Sequence, residues 1–302
     1  MTASNLVSKI VPLTSAIATS LLLSACGASD GNDDKTVSYQ ATATMGAITA
    51  GVGSYTVKVT ASDGESLEGQ TISVLPIMDM ASMEGTRDHS TPTSKTEGEL
   101  DENGEFTATG YFLMQSGAMG SWSLEVSAEG ITQTVPVTVN WDTGGPVTLY
   151  GSEQDQIMSM SGGMVKRPYY IFNPSVISSE QMNMTVVVLY VSARETMMDY
   201  NAVSTGETLT GGAQDLGLSE VSLEVCASDC MDADSGTMNT ANWQEALGSH
   251  GAYEVTFMAT DIDTLMLKLT VNGEVKTTNS GAMHTSLSLS ASSTDMGQNH
   301  AM

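Results

Sequence analysis

Apolar and polar residues alternate with a period of two along most of this chain, and no other feature of the sequence limits its fold so tightly. Tyr55, Val57 and Val59 alternate with Thr56, Lys58 and Thr60, and Trp122, Leu124 and Val126 alternate with Ser121, Ser123 and Glu125. This period sets one face of an extended strand against a core and leaves the other in water. Ile72 and Val74, then Phe106 to Phe112, then Val135, Val137 and Val139 continue the series. Asp63-Gly64, Asn103-Gly104 and Glu129-Gly130 supply turns between them. Short half-buried strands with such punctuation predict an antiparallel sandwich.

A second series follows the joint Trp141-Asp142-Thr143-Gly144-Gly145-Pro146, with strands expected over residues 185–191, 221–225, 253–258, 265–271 and 285–290. Asn272-Gly273, just before Val275, is a strong hairpin signal. The two series align with each other. Ile72-Ser73-Val74-Leu75 matches Leu223-Glu224-Val225-Cys226, and Asn103-Gly104-Glu105-Phe106 matches His250-Gly251-Ala252-Tyr253. Trp122 to Val126 is set against Met266 to Thr270. The expected fold is all-β: two tandem Ig-like antiparallel β-sandwich domains, residues 39–142 and 147–291, the second a divergent repeat. A polar, disordered tail is expected over 292–302.

The N-terminus reads as an export signal, with Lys9 the only early charge and an apolar run ending at Leu21-Leu22-Leu23. Leu23-Ser24-Ala25-Cys26 resembles a bacterial lipoprotein lipobox, which implies a signal peptide over 1–25 and a lipidated Cys26. The apolar run is too short to span a bilayer, so the membrane is reached through the lipid anchor. Gly27, in place of the Asp that retains such proteins at the inner membrane, points to the outer membrane. Residues 26–38 are small, polar and acidic and read as a flexible tether. The net charge of −25 excludes nucleic acid as a partner, because that ligand needs a basic surface.

Catalysis finds no support. Of the four His, none adjoins a Ser or Cys nucleophile in a recognisable motif, and no phosphate-cradling glycine loop follows a strand. Gly27-Ala28-Ser29-Asp30-Gly31 matches G-x-S-x-G without the strand and helix that a nucleophile elbow requires. Asp232-Ala233-Asp234-Ser235-Gly236 begins like a calcium loop, but its Gly arrives early and no Glu closes it.

Methionine carries the chemical signal: the chain holds 21, Met1 included. Met78, Met80, Met83 and His89 gather in a stretch that does not read as core. Thioether and imidazole together suit copper, and Cu(I) in preference to zinc. Met114 and Met119 approach from the 112–122 connection as further candidate ligands. The M-x-M pairs Met78/Met80, Met158/Met160 and Met182/Met184 put both sulfurs on one face of an extended backbone. Met258 and Met266, within strand patterns, read as core filler. The competing reading of the Met loops is an adaptable apolar surface for a protein partner. In the second unit Cys226 and Cys230, spaced C-x3-C, form either a local disulfide or a thiolate pair for a soft metal, with Met231, Met238 and His250 nearby. A C-x3-C pair with a remote His also resembles the copper site of Sco-type assembly proteins, though no thioredoxin-like βαβ pattern surrounds it.

One stretch resembles a known family. Gly69, Ile72-Ser73-Val74, Pro76-Ile77-Met78, Met80, Met83 and His89 come first, then Gly104-Glu105-Phe106, Gly117 and Gly120-Ser121-Trp122-Ser123-Leu124-Glu125-Val126. Their order is similar to the YtkA-like (FixH-related) domain over residues 55–139. The resemblance implies a small extracytoplasmic β-sandwich linked to copper handling or respiratory oxidase assembly. The expectation is therefore a non-catalytic periplasmic lipoprotein that binds or relays copper, with a copper-trafficking or oxidase-assembly protein as partner. The alternatives are a metal-free interaction module of the cell envelope and a structural spacer.

Overall fold

A computed structural model describes residues 37–80, 89–128, 131–142, 144–159, 162–227, 238–245 and 251–289. Among these residues every regular element is a strand. The N-terminal seven are β1 (Tyr39–Thr49), β2 (Val52–Ala61), β3 (Thr71–Met80), β4 (Glu97–Glu99), β5 (Glu105–Tyr111), β6 (Gly120–Ala128) and β7 (Ile131–Val137). They form two antiparallel sheets, β1-β2-β5 and β4-β3-β6-β7. Between the sheets lie Tyr55, Val57, Ile72, Val74, Phe106, Trp122 and Leu124, none more than 1% exposed, while Ser121 and Glu125 face outward. The alternation in sequence is thus the alternation of the pleat.

Both open sides of this sandwich are stitched. On one side, residues 89–96 cross from β3 to β5. Val74 N donates to Thr96 O at 2.7 Å, while Tyr111 N donates to Pro92 O at 2.9 Å and Ser94 N to Thr109 O at 2.8 Å. On the other side Gln133 of β7 accepts from Ala41 N at 2.7 Å and donates to Tyr39 O at 3.1 Å. Edge backbone groups that would otherwise stand open are paired within the chain.

The C-terminal strands repeat the scheme with additions. One sheet holds β8 (Val147–Tyr150), β11 (Pro168–Ser179), β12 (Met184–Arg194), β13 (Tyr200–Ala202), β18 (Asn242–Gln244) and β19 (Ala252–Phe257). The other holds β16 (Val221–Ala227), β17 (Asn239–Thr240), β20 (Thr264–Val271), β21 (Glu274–Val275) and β22 (Thr285–Ser288). Two small hairpins, β9 (Gln156–Met158) with β10 (Met164–Lys166) and β14 (Thr208–Leu209) with β15 (Leu216–Gly217), lie outside these sheets. Val187, Leu189, Leu223, Val225, Leu265, Leu267 and Leu269, all fully buried, form the core. Asn272 and Gly273 join β20 to β21 with φ of 51° and 77°, the two positive values that a type I′ turn requires. The fold is an all-β, Ig-like antiparallel sandwich architecture.

The order β1-β2-β5 recurs as β11-β12-β19, and the β3–β6 pair as β16–β20. Gly104 and Gly251, with φ of 72° and 71°, precede β5 and β19 in the same way, and buried Phe106 and Tyr253 follow each by two residues. The third sequence alignment needs correcting. Val74 stands opposite Val126 and Val225 opposite Leu267, so Leu267, not Thr270, occupies the place of Val126. An odd offset reverses every side chain. Trp122 is 1% exposed, whereas Met266 lies half-buried between the buried Leu265 and Leu267.

Where the two sets of sheets meet, Tyr111 stacks on Tyr190 with ring centroids 4.2 Å apart and leans on Phe172 at 5.3 Å. Val52 and Ala202 complete this small apolar cluster. Desolvation pushes the Tyr111 hydroxyl up to about 12. Ser90 N also donates to Met197 O at 3.0 Å across the joint.

Candidate functional site

Strand β3 runs through Met80, so Met78 and Met80 belong to a sheet and not to a loop. The ladder with β6 is unbroken from Ile72 opposite Ala128 to Met80 opposite Gly120, and it holds the chain extended past Pro76. The carbonyl of Pro76 is satisfied from the side by Ser90 Oγ at 2.9 Å. Both thioethers do share one face, but that face is the core: Met78 is 0% exposed and Met80 8%, with Asp79 outside. Met78 pairs with Trp122 and reaches towards Gly120, where an added Cβ would sit 3.1 Å from Met78 Cε and 2.2 Å from Asp79 O. Glycine at 120 is what lets β3 and β6 approach here.

Around this pair the chain returns twice. His89, half-buried, faces Met78 through two backbone hydrogen bonds of 2.7 and 3.1 Å. The 112–119 connection brings Met114, packed against the core with its carbonyl accepting Trp122 Nε1–H at 2.9 Å, and Met119, 56% exposed beside Gly120. Five of the six expected ligands are therefore gathered at one end of the first sandwich, and Met83 lies outside the described residues. Among the described residues, His, Cys, Asp and Glu form no group of three or more placed to hold a metal ion. A metal at this end would draw mainly on thioether sulfur, the donor that favours Cu(I).

The roles expected of methionine are partly inverted. Met258, read as core filler, follows the end of β19 and is 74% exposed. Met158 and Met164 stand directly opposite each other on the β9–β10 hairpin, at 59% and 41% exposure. Met182 is 53% exposed in the turn before β12, so it does not share a strand face with Met184. In the second unit Cys226 is disulfide-bonded, and a sulfur so engaged is no thiolate ligand. Met238 is half-buried beside β17, while Cys230, Met231 and His250 lie outside the described residues, as does Cys26.

A buried charge cluster lies in the second unit, with no counterpart in the sequence reading. Asp155, 5% exposed, accepts from Arg167 Nε at 2.8 Å, Lys276 Nζ at 3.0 Å and the Tyr169 hydroxyl. Arg167, 1% exposed, also donates to the carbonyls of Arg194 and Thr210 at 2.8 and 2.9 Å, and Lys276, 1% exposed, reaches Glu274 at 2.8 Å. Burial alone would push the Asp155 carboxyl up, but the Tyr169 hydrogen bond and the adjacent Lys276 and Arg167 outweigh it and hold it below the usual carboxylate range. Burial first, then the neighbouring Asp155 charge, pushes the Tyr169 hydroxyl up. Two cations and two anions cancel: Asp155 and Arg167 flank the β9–β10 hairpin, Tyr169 lies on β11, and Glu274 and Lys276 lie on and just after β21. The arrangement is a structural clasp and leaves no open coordination for a ligand.

Comparison with known proteins adds little. No family model and no curated protein matches the chain. Among solved structures the chain is similar to one described as "D0-D1 domain of Intimin", at 11% identity over 80% of this chain and 93% of that one, with a TM-score of 0.22.

Proposed function

We propose that this chain is a non-catalytic envelope lipoprotein whose first sandwich captures or relays Cu(I) at its methionine- and histidine-bearing end. The observation that supports this reading is the pairing of Met78 with His89 and of Met80 with Gly120. It draws an imidazole, a barely exposed thioether and the Met114–Met119 connection to one sheet end. His89, Met114 and Met119 fit as donors, with Met80 behind them, whereas Met78 is committed to packing. A site with one imidazole among thioethers favours the cuprous ion and fits labile, transferable binding. An export signal ending at a lipidated Cys26 fits such a task.

The test is competition for Cu(I) between the purified soluble part and a chromogenic chelator. The His89→Ala/Met119→Ala protein is expected to lose at least tenfold in affinity with its thermal unfolding unchanged. Equal affinities in the two proteins would overturn the reading. A second reading, a metal-free docking module, draws on the exposed methionines Met119, Met158, Met164, Met182, Met258 and Met283. Flexible thioethers adapt to apolar partners. It predicts partner binding that is indifferent to copper.

A further inference from the structure

We propose that the exposed methionines form a sacrificial sink for two-electron oxidants of the hypochlorous acid class. Seven large apolar side chains stand exposed among the described residues, and six of them are Met: Met119, Met158, Met164, Met182, Met258 and Met283, with Val165 the exception. Scattered apolar residues are ordinary on a protein surface. Their restriction to one type is not: no Leu, Ile or Phe shares that exposure, although those residues fill both cores. What separates Met from Leu at such positions is its sulfur, a soft and polarizable atom. A soft metal needs several sulfurs to converge, and only Met158 and Met164 stand opposite each other on a ladder. A docking face needs them in one patch, whereas they are spread over the β9–β10 hairpin and the ends of β6, β12, β19 and β22, in both units. An oxidant needs neither arrangement, because it takes thioethers one at a time.

The rest of the molecule confines damage to these positions. Oxygen transfer turns an apolar thioether into a polar sulfoxide, which disrupts a core but at a solvated position breaks no packing. Met78 and Trp122 are sealed between the sheets of the first sandwich. No Trp or Tyr is exposed among the described residues, and Cys226 is buried and already disulfide-bonded. An oxidant arriving from solvent therefore meets an expendable sulfur first. In the step itself the oxygen of hypochlorous acid bonds to sulfur as its bond to chlorine breaks. The sulfur gives up two electrons, chlorine leaves as chloride, and the proton passes to water.

The inference is independent of the copper reading, which shares only Met119 with it, so the test variant leaves Met119 in place. The metal-free chain is titrated with hypochlorous acid and its oxidised sites are mapped by peptide mass spectrometry. Sulfoxide is expected at the six exposed Met before any oxygen reaches Met78, Met80 or Trp122, with the thermal unfolding midpoint unchanged when all six are converted. Limiting oxidant is then divided between the chain and about six equivalents of N-acetylmethionine, one for each exposed sulfur, whose sulfoxide counts the oxidant that escapes the chain. Met158→Leu/Met164→Leu/Met182→Leu/Met258→Leu/Met283→Leu is expected to raise that escape roughly 1.5- to twofold, since five of the six competing sulfurs are gone. Early oxidation of Met78 or Trp122, a midpoint that falls as the exposed Met are consumed, or equal escape with the two proteins overturns the proposal. The first two are read on the unaltered chain, whether or not the variant folds.

Discussion

Replacing Asp155 by alanine is expected to cost about 3–5 kcal/mol, because it strands two cations, Arg167 and Lys276, in an interior where neither retains adequate compensation. Both side chains are 1% exposed, so neither can turn to solvent without breaking the packing around it. Arg167 would keep its two carbonyl partners and Lys276 would keep Glu274, but the carboxylate that each shares would be gone. The Tyr169 hydroxyl, buried beside them, would lose its acceptor as well. Urea denaturation should show the loss as a lowered midpoint for the unit that contains the cluster. Glu153→Ala, which removes the exposed partner of Lys166, is the matched control and should change stability by about 0.5 kcal/mol or less. A wild-type midpoint in Asp155→Ala would show that the cluster does not hold the fold.

The same carboxylate sets an acid limit. Its pKa is depressed in the folded chain relative to the unfolded one. A group of that kind contributes stability that is present in full above the unfolded value, near 3.8, and is lost as pH falls through the lower folded value. The stability gap between wild type and Asp155→Ala should therefore stay constant from neutral pH down to the ordinary carboxylate range and close below it. Denaturation series at neutral pH and below 3.8 measure the gap directly; a gap that widened on acidification would contradict the sign of the shift.

What the sequence disclosed and what it hid have the same physical origin. Strands β2, β6 and β20 keep an unbroken period of two, with large apolar residues at their central inward positions (Tyr55, Val57 and Val59; Trp122, Leu124 and Val126; Leu265, Leu267 and Leu269), and are legible. Strand β11 is interior to its sheet yet carries no clear period of two in its sequence, because Asn173 and Pro174 sit at a bulge that shifts the phase of alternation. In β1 only Ala41 is fully buried, the other inward residues Tyr39, Ala43, Met45 and Ile48 are only partly so, and a second bulge shifts the phase between Met45 and Ile48. Met78 and Met80 continue the series Ile72, Val74, Pro76 at steps of two, but Pro76 and the exposed Asp79 made the run look like a loop. The charge cluster could not be read from spacing, since Lys276 and Asp155 are 121 positions apart. One clue was present: with only ten Lys and Arg in the chain, cations beside strands call for a partner.

Truncating Met78 to alanine is expected to cost about 2–5 kcal/mol in the metal-free protein, the usual range for emptying a buried methionine site. The side chain is fully buried opposite Trp122, whose ring also meets Phe112 edge-on with centroids 5.2 Å apart. A cavity there is bounded by two rigid sheets and cannot collapse readily, which argues for the upper part of that range. Met119→Ala, at a position 56% exposed, should change stability by about 0.5 kcal/mol or less. Met78→Leu separates packing from ligation: it keeps the volume, discards the sulfur, and should cost less than about 1.5 kcal/mol. If Met78 serves the core, Met78→Leu keeps both its urea midpoint and its Cu(I) affinity, while Met78→Ala loses stability before any metal is added. If Met78 is instead a ligand, Met78→Leu folds like the wild type but loses affinity in the chelator competition. The burial of Met78 and Met80 in the core that also holds Trp122 and Phe112 favours the first outcome, and it directs the search for copper donors to the more exposed end of the same sheet, at His89, Met114 and Met119.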